Sequence, residues 1–169
     1  MKNLPTHARL KEVLHYDPVL GLFWWKERPV TTRHDRMFNT KHSGQIAGTR
    51  SRGYAVIKVD GEDIHAHRLA WFYMTGQWPA EEIDHRNGRR LDNAFDNLRE
   101  ATRSQNGANR SRQSEGLRGV SKSGSKFRSR IKYEQTEEYL GTFDTEEEAH
   151  TAYAARAVQV FGEYARIAG

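Results

Sequence analysis

The chain has 169 residues, a net charge of +5 and no cysteine, and its isoelectric point is about 9.6. This length suits one compact domain or two small ones, and the positive charge indicates a polyanionic partner. Without cysteine, disulfide frameworks and thiolate zinc sites are excluded, so a bound metal must use oxygen or imidazole ligands. The sequence has neither a long apolar run nor a signal-peptide pattern at its N-terminus, and we expect a soluble, intracellular protein without a membrane partner.

The first half of the chain predicts helices and a small sheet. Apolar periodicity predicts helices at about 6–15 and 65–75 and strands at 21–26 and 53–61. Gly76 is the predicted stop of the second helix, and the Asp60-Gly61 pair predicts a hairpin turn. Residues 27–52 are polar, show little pattern and predict a loop.

The middle of the chain carries most of the positive charge. Residues 86–132 contain 13 Lys and Arg against 4 Asp and Glu, whereas residues 133–169 contain 2 against 8. Such a block is either a solvated surface or a contact for nucleic acid, and its single sign favours nucleic acid. Within it, residues 107–116 are small, polar and aperiodic, which predicts a basic linker.

The segment after the linker predicts three strands and one helix. The strands are expected at 116–120, 126–133 and 138–143. Alternation places Arg128, Arg130 and Lys132 on one face of the middle strand and its apolar residues on the other. Asp144 is expected to begin the helix with a capping box, and the helix buries a set of residues at helical intervals: Ala149, Tyr153, Ala157 and Phe161.

The residues around position 84 suit phosphodiester hydrolysis. Asp84 is a hard oxygen donor of the kind that Mg²⁺ or Mn²⁺ accepts, Asn106 offers a neutral carbonyl oxygen, and His85 titrates near neutrality. Adjacent residues of a strand point to opposite faces, so the chain must bend near the Asn87-Gly88 turn if both Asp84 and His85 serve one phosphate. An Asp-His pair alone is weak evidence, because most histidines are structural.

This region resembles the HNH nuclease superfamily, in particular the phage-type homing endonucleases whose final histidine is replaced by asparagine. The resemblance runs in order through His67-Arg68-Leu69-Ala70-Trp71, Gly76-Gln77-Trp78-Pro79, Ile83-Asp84-His85, Asn87-Gly88, Leu91-Asp92-Asn93, Asp96-Asn97-Leu98-Arg99-Glu100 and Ser104-Gln105-Asn106-Gly107-Ala108-Asn109. It implies a ββα-metal (His-Me) finger at about 82–110 that holds one divalent metal ion, Mg²⁺ or Mn²⁺, against the scissile phosphate.

The same resemblance implies a role for each site residue. Asp84 and Asn106 are the expected metal ligands, His85 the general base, and Asn97 the residue that braces the hairpin and orients His85, a task that Asn93 could share. Amide side chains suit bracing because they both donate and accept hydrogen bonds.

Several flanking residues have less certain roles. Arg86 and Arg89 replace an apolar and an acidic residue of many family members. These two extra cations either bind phosphate, which places both among the predicted DNA contacts, or signal a changed substrate. Arg99 and Arg103 either neutralise phosphate charge or lie on the surface. His65 and His67 are interpreted as structural.

Residues 117–166 resemble the plant ethylene-response-factor type DNA-binding domain, which also occurs appended to phage HNH nucleases. The resemblance is carried by Leu117-Arg118-Gly119-Val120, Lys126-Phe127-Arg128-Ser129-Arg130-Ile131, residues 139–149 and Ala152-Tyr153. It implies that a three-stranded sheet enters the major groove of double-stranded DNA while an acidic helix faces away. The family's sequence preference is not transferred, because Phe127, Ser121 and Tyr139 stand where plant relatives often have tryptophan or arginine.

The predicted DNA contacts are mostly basic residues of this segment, of the linker and of the finger. Arg118 and Arg130 are the expected base readers, since a guanidinium can bind guanine bidentately. The supporting contacts are Lys122, Lys126, Arg128, Lys132, Tyr139, Arg86, Arg89, Arg110 and Arg112.

Together these features predict an α+β protein with three parts: an HNH nuclease domain at 1–106, a basic linker at 107–116 and a DNA-binding domain at 117–169. The predicted activity is metal-dependent, site-directed endonuclease action that nicks one DNA strand. A monomer is expected, with a dimer as the alternative, acting as a phage or prophage protein in the bacterial cytoplasm. The alternatives are a non-cleaving DNA-binding regulator, which has no need for Asp84, His85 and Asn106, and an RNA-directed protein, for which no single-strand motif is recognisable.

Overall fold

The computed structural model describes residues 4–110 and 116–167, in which helices alternate with small antiparallel sheets. This architecture confirms the predicted α+β class. Contacts divide the chain into two compact units, Met1–Glu100 and Ala101–Gly169. The domain bounds drawn from sequence stay a prediction. No helix within the described residues has the length and apolar character needed to cross a membrane.

The first unit contains three short antiparallel sheets and three helices among its described residues. In chain order its elements are α1 (His7–Val13), β1 (Leu14–Asp17), β2 (Leu22–Trp25), α2 (Arg33–His42), β3 (Thr49–Ser51), β4 (Tyr54–Val59), β5 (Glu62–His65), α3 (Ala66–Thr75), β6 (Glu82–His85) and β7 (Leu98–Ala101), whose last residue lies at the boundary. Strand β1 pairs with β2, β4 lies between β3 and β5, and β6 pairs with β7.

The first core explains why these elements fold together. Leu10, Leu14, Phe23, Ile57 and Leu69 are almost completely buried and come from α1, both early sheets and α3. Burying one such side chain contributes about 1.5–3 kcal/mol.

Local turn and cap signals fix the ends of the elements of the first unit. The Asp60-Gly61 turn has φ values of 48° and 90°, which suits a tight hairpin between β4 and β5. Gly76 ends α3 in the left-handed conformation, with φ 74°. The two predicted helices and the hairpin are therefore confirmed.

Helix α2 lies where the sequence predicted a loop, and that prediction is wrong. Thr32 and Asp35 form a capping box at its start. All ten residues of α2 are described and none is buried, so the helix has no apolar stripe that periodicity could detect.

The second unit is a three-stranded antiparallel sheet packed on one long helix, as predicted. Its elements are α4 (Arg103–Asn109), β8 (Val120–Ser123), β9 (Lys126–Tyr133), β10 (Thr136–Phe143) and α5 (Glu146–Phe161), and β9 is the central strand. Ala149, Tyr153, Ala157 and Phe161 are all buried, which confirms the predicted helix face.

Several predicted bounds in this unit differ from the structure. The first strand, expected at 116–120, is β8 at Val120–Ser123, and the third, expected at 138–143, already begins at Thr136. The capping residue of α5 is Thr145, whose box partner is Glu148, so the helix begins one residue later than expected. Residues 107–109, the first residues of the predicted linker, complete α4. Thr102 and Gln105 form the capping box that begins α4, and Ala108 belongs to the core of the second unit.

Gly119 determines how closely the chain before β8 approaches α5. Its φ is +77°, and a Cβ atom at this position would stand 2.0 Å from Cδ2 of Tyr153. Because only glycine combines a positive φ with no side chain, this residue permits the close packing of the strand entry on the helix.

Candidate active site and nucleic-acid interface

Strand β6 presents Asp84 and His85 at its end. Both residues are 5% exposed. The strand stops at His85, whose carbonyl accepts a hydrogen bond from Gly88 N at 2.7 Å, and Gly88 adopts φ +71°. The bend expected at the Asn87-Gly88 pair therefore lies directly after the two candidate catalytic residues.

Arg99 of β7 forms a buried ion pair with Asp84. Its Nε and Nη2 atoms each lie 2.9 Å from Asp84 Oδ2, and the side chains are only 7% and 6% exposed. Arg99 is thus buried rather than on the surface. A charge-assisted pair of this kind fixes the carboxylate in one orientation.

Asn93 orients the imidazole of His85. Asn93 Oδ1 lies 3.1 Å from His85 Nε2, while Asn93 Nδ2 donates to Leu91 O at 3.4 Å. An amide oxygen only accepts, so this hydrogen bond forms with the His85 tautomer that carries a proton on Nε2. Burial lowers the pKa of His85, although the Asn93 hydrogen bond and the Asp84 charge oppose that shift.

Asn97 braces the loop between β6 and β7. Its Oδ1 accepts from Asn87 N at 3.1 Å, and its Nδ2 donates to Asp92 O at 2.7 Å. Its carbonyl accepts from Arg86 N at 2.8 Å. Bracing and orientation, which the sequence assigned mainly to Asn97, are therefore shared between Asn97 and Asn93.

The hairpin of β1 and β2 supports the backbone around Asn93. Tyr16 Oη donates to Asn93 O at 2.7 Å, and Phe95 N donates to Pro18 O at 2.8 Å. A Cβ atom on Gly21 would stand 2.2 Å from Ala94 N, so glycine is required for this approach. Sequence patterns gave no sign of this support.

A cluster of aromatic rings surrounds His85. The His67 ring lies 5.1 Å from that of His85 and 5.3 Å from that of His65, and Tyr54 stacks on His65 at 5.0 Å. The Arg90 guanidinium lies over the Tyr54 ring at 5.0 Å. Burial, followed by the neighbouring positive charges, lowers the pKa of His67 to about 3, so its imidazole is neutral at pH 7. Packing is the role that this environment favours for His67.

Asn106 lies in the middle of α4, half-buried, and its backbone N donates to Thr102 O at 2.9 Å. It belongs to the second unit, whereas Asp84 and His85 belong to the first. No group of three or more His, Cys, Asp or Glu able to hold a metal occurs within residues 4–110 and 116–167. The predicted donor set is one carboxylate and one amide oxygen, which fits Mg²⁺ because this ion keeps several of its waters.

The outer face of the second sheet carries the predicted DNA contacts. Arg128, Arg130 and Lys132 are exposed along β9, whereas Ser129 and Ile131 are buried. Cross-strand register places Thr142 beside Arg128 and Tyr139 beside Arg130.

An open concavity of about 480 Å³ on the sheet face is lined by Arg128, Arg130, Glu137, Tyr139 and Thr142. Glu137 pairs with Arg130 at 2.8 Å. Helix α5 packs on the Ile131 face, so the acidic helix lies opposite the basic ladder.

Three predicted contacts have other surroundings. Lys122 shares the register of Phe127, on the face opposite to Arg128. Lys126 pairs with Asp144 at 2.9 Å, and this hydrogen bond raises its pKa. The guanidinium of Arg118 donates to Ala108 O and Arg110 O at the end of α4.

The remaining predicted phosphate contacts lie in loops. Arg86 and Arg89 are exposed after β6, and Arg110 is exposed after α4. Arg112 lies outside the described residues.

Residues 64–108 match the family model of HNH endonucleases. The matched segment spans β6, β7 and α4 and contains Asp84, His85, Asn93, Asn97 and Asn106. No curated protein and no solved structure matches the chain significantly. The family match supports an HNH nuclease that acts on DNA.

Proposed function

We propose that the protein is a metal-dependent, site-directed DNA endonuclease of the phage homing type. The observation that carries this proposal is the HNH match at 64–108 around a buried Asp84-His85 pair. A binder that does not cut has no use for an imidazole oriented by Asn93 beside a carboxylate fixed by Arg99.

In this proposal each site residue has one task. Asp84 and Asn106 would hold one divalent metal ion, Mg²⁺ or Mn²⁺, and that ion supplies Lewis-acid polarisation of the scissile phosphate when it is bound. His85 accepts a proton from the attacking water as general base. Asn93 keeps the imidazole oriented, Asn97 holds the hairpin loop, and the exposed Arg86 and Arg89 bind the phosphate backbone.

The second unit is proposed to select the DNA site as an ethylene-response-factor type domain. Its exposed ladder of Arg128, Arg130 and Lys132, flanked by Tyr139, offers both guanidinium forks and an aromatic ring to a groove. Arg130 is the proposed base reader, and the other cations bind phosphate.

A single finger per chain favours nicking over a double-strand break, and we propose a monomer that acts in the cytoplasm of a phage-infected or lysogenic bacterium. Two cuts would need a dimer or two visits to the site.

Supercoiled plasmid tests this function directly. Wild-type protein with Mg²⁺ or Mn²⁺ should convert the plasmid to open circles, EDTA should stop the conversion, and His85→Ala should lose it. His15→Ala, which truncates an exposed histidine of β1, is the matched control and should cut normally. If wild-type protein binds plasmid and DNA of its native locus but cuts neither, the regulator alternative replaces the nuclease.

A further inference from the structure

Helix α4, which carries Asn106, is an integral part of the second unit. Ala108, two residues after Asn106, is 7% exposed and packs in one core with Ile131 of β9 and with Tyr153 and Phe161 of α5. The helix is therefore fixed by the sheet and the long helix that follow it in the chain.

The C-terminal end of α4 is held by Arg118. The Arg118 guanidinium donates to the carbonyls of Ala108 and Arg110, and the Arg118 carbonyl accepts from His150 Nδ1 at 2.9 Å. Terminal carbonyls of a helix lack intrahelical partners and carry partial negative charge, so a cation is favourable there. Arg118 thus joins the end of α4 to α5.

The N-terminal part of α4 is held by the turn between β9 and β10. Ser104 Oγ accepts a hydrogen bond from Glu134 N at 2.8 Å. Glu134 adopts φ +53° in this turn. Asn106 therefore lies between two anchored residues, Ser104, which is bound by Glu134, and Ala108, which is bound by Arg118.

We propose that Arg118 is a positioning residue for Asn106 and not a reader of DNA bases. Its guanidinium group would have to leave the carbonyls of Ala108 and Arg110 before it could reach a base. The sheet that presents Arg128 and Arg130 shares one core with the helix that presents Asn106, so the proposed DNA-binding sheet sets the position of the proposed metal ligand. This inference rests on the proposed role of Asn106.

Metal affinity in the absence of DNA tests the inference. Each full-length protein is titrated with Mn²⁺ well below its melting temperature, and electron paramagnetic resonance measures the Mn²⁺ that stays free. The proteins are wild type, Asn106→Ala, Arg118→Ala and Arg36→Ala. Arg118→Ala should raise the Kd for Mn²⁺ by about tenfold, as loss of an outer-shell partner does elsewhere. Asn106→Ala, which removes the proposed ligand itself, should raise the Kd at least as much. Arg36→Ala truncates an exposed arginine of α2 and should bind Mn²⁺ like wild type.

Sequence selection on randomised duplexes supplies the second readout. Arg118→Ala should select the same bases as wild type, whereas Arg130→Ala should lose its preference at one position. Wild-type Mn²⁺ affinity or an altered base preference in Arg118→Ala overturns the positioning role.

Two further results separate the possible failures. If Asn106→Ala binds Mn²⁺ like wild type, the ligand assignment fails and the positioning role fails with it. If only Arg118→Ala retains wild-type affinity, the ligand assignment stands and the positioning role alone is wrong. Should Arg118→Ala not fold, Ser104→Ala removes the other anchor and should weaken Mn²⁺ binding in the same direction.

Discussion

At the scale of single residues, the Asp84 carboxylate is held in place because one of its oxygens contacts two nitrogens of a buried guanidinium. Losing one partner of a buried pair leaves an uncompensated charge, whereas an exposed pair is largely replaced by water. The two kinds of pair can be compared within the first unit.

Arg99→Met should lower the free energy of unfolding by about 3–5 kcal/mol, because it removes the guanidinium that pairs with the buried Asp84 carboxylate. Arg9→Met breaks the exposed Arg9–Asp60 pair and should cost less than about 1 kcal/mol. Urea denaturation at pH 7 measures both. Equal losses would mean that burial adds nothing to the Asp84–Arg99 pair.

His67 gives the first unit a pH-dependent stability. Its folded-state pKa of about 3 lies below the ordinary value of about 6.5, so the unfolded chain binds the proton first. The contribution is complete above about pH 6.5 and is lost as the pH falls from there towards 3, by up to about 1.4 kcal/mol per pH unit.

His67→Phe keeps an aromatic ring and should flatten the fall in unfolding free energy between pH 6.5 and 4.5, measured by urea titration at each pH. His34→Phe, at an exposed position of α2, is the control. An unchanged slope in His67→Phe would show that other groups cause the acid sensitivity.

At the scale of elements, the junction between β8 and α5 depends on Gly119. Gly119 and Gly124 both have positive φ, but only Gly119 faces a side chain within 4 Å. The same substitution made separately at each position distinguishes the cost of backbone strain from the cost of steric overlap.

Gly124→Ala should cost about 1–2 kcal/mol through its left-handed backbone alone. Gly119→Ala should cost at least about 2 kcal/mol more, because the new methyl group displaces the Tyr153 ring. Equilibrium unfolding measures the difference, and similar costs at the two positions would contradict the close packing.

Elements with one buried face could be predicted from sequence, and elements without one could not. Alternation along β9 predicts the sheet, and the four-residue spacing of Ala149, Tyr153, Ala157 and Phe161 predicts α5. Helix α2 buries no side chain, although all of its residues are described, and α4 is mostly polar, so neither has a periodic apolar signal.

The site could be predicted only in part for a similar reason. A resemblance in local sequence predicts Asp84, His85, Asn97 and Asn106 as site residues, and their roles stay predictions. The Asp84–Arg99 and His85–Asn93 contacts join residues 15 and 8 positions apart. Such pairs depend on hairpin register, which one sequence does not fix.

At the scale of the whole molecule, charge separates along the chain, with the basic block at 86–132 and the acidic block at 133–169. The basic ladder of β9 and the acidic α5 lie on opposite faces of the same sheet. DNA binding through this ladder should release counterions and weaken as salt rises.

The triple variant Arg128→Ala, Arg130→Ala, Lys132→Ala should reduce the slope of log K against log salt by about 2.7 if each side chain neutralises one phosphate. Fluorescence anisotropy with a duplex at several salt concentrations measures the slope. The control Arg33→Ala, Arg36→Ala removes two exposed cations of α2. An equal loss of slope in the control would contradict a specific role for the sheet.

The dependence of α4 on later segments of the chain limits how this protein can be recombined. A chimera joined anywhere within 107–116 would keep Asn106 but lose the Arg118 and Glu134 anchors and the apolar residues that cover Ala108. A junction before Thr102 transfers the helix with its sheet. Exchange of the second sheet, whether by engineering or by shuffling of genes, therefore has to carry Asn106 along with it.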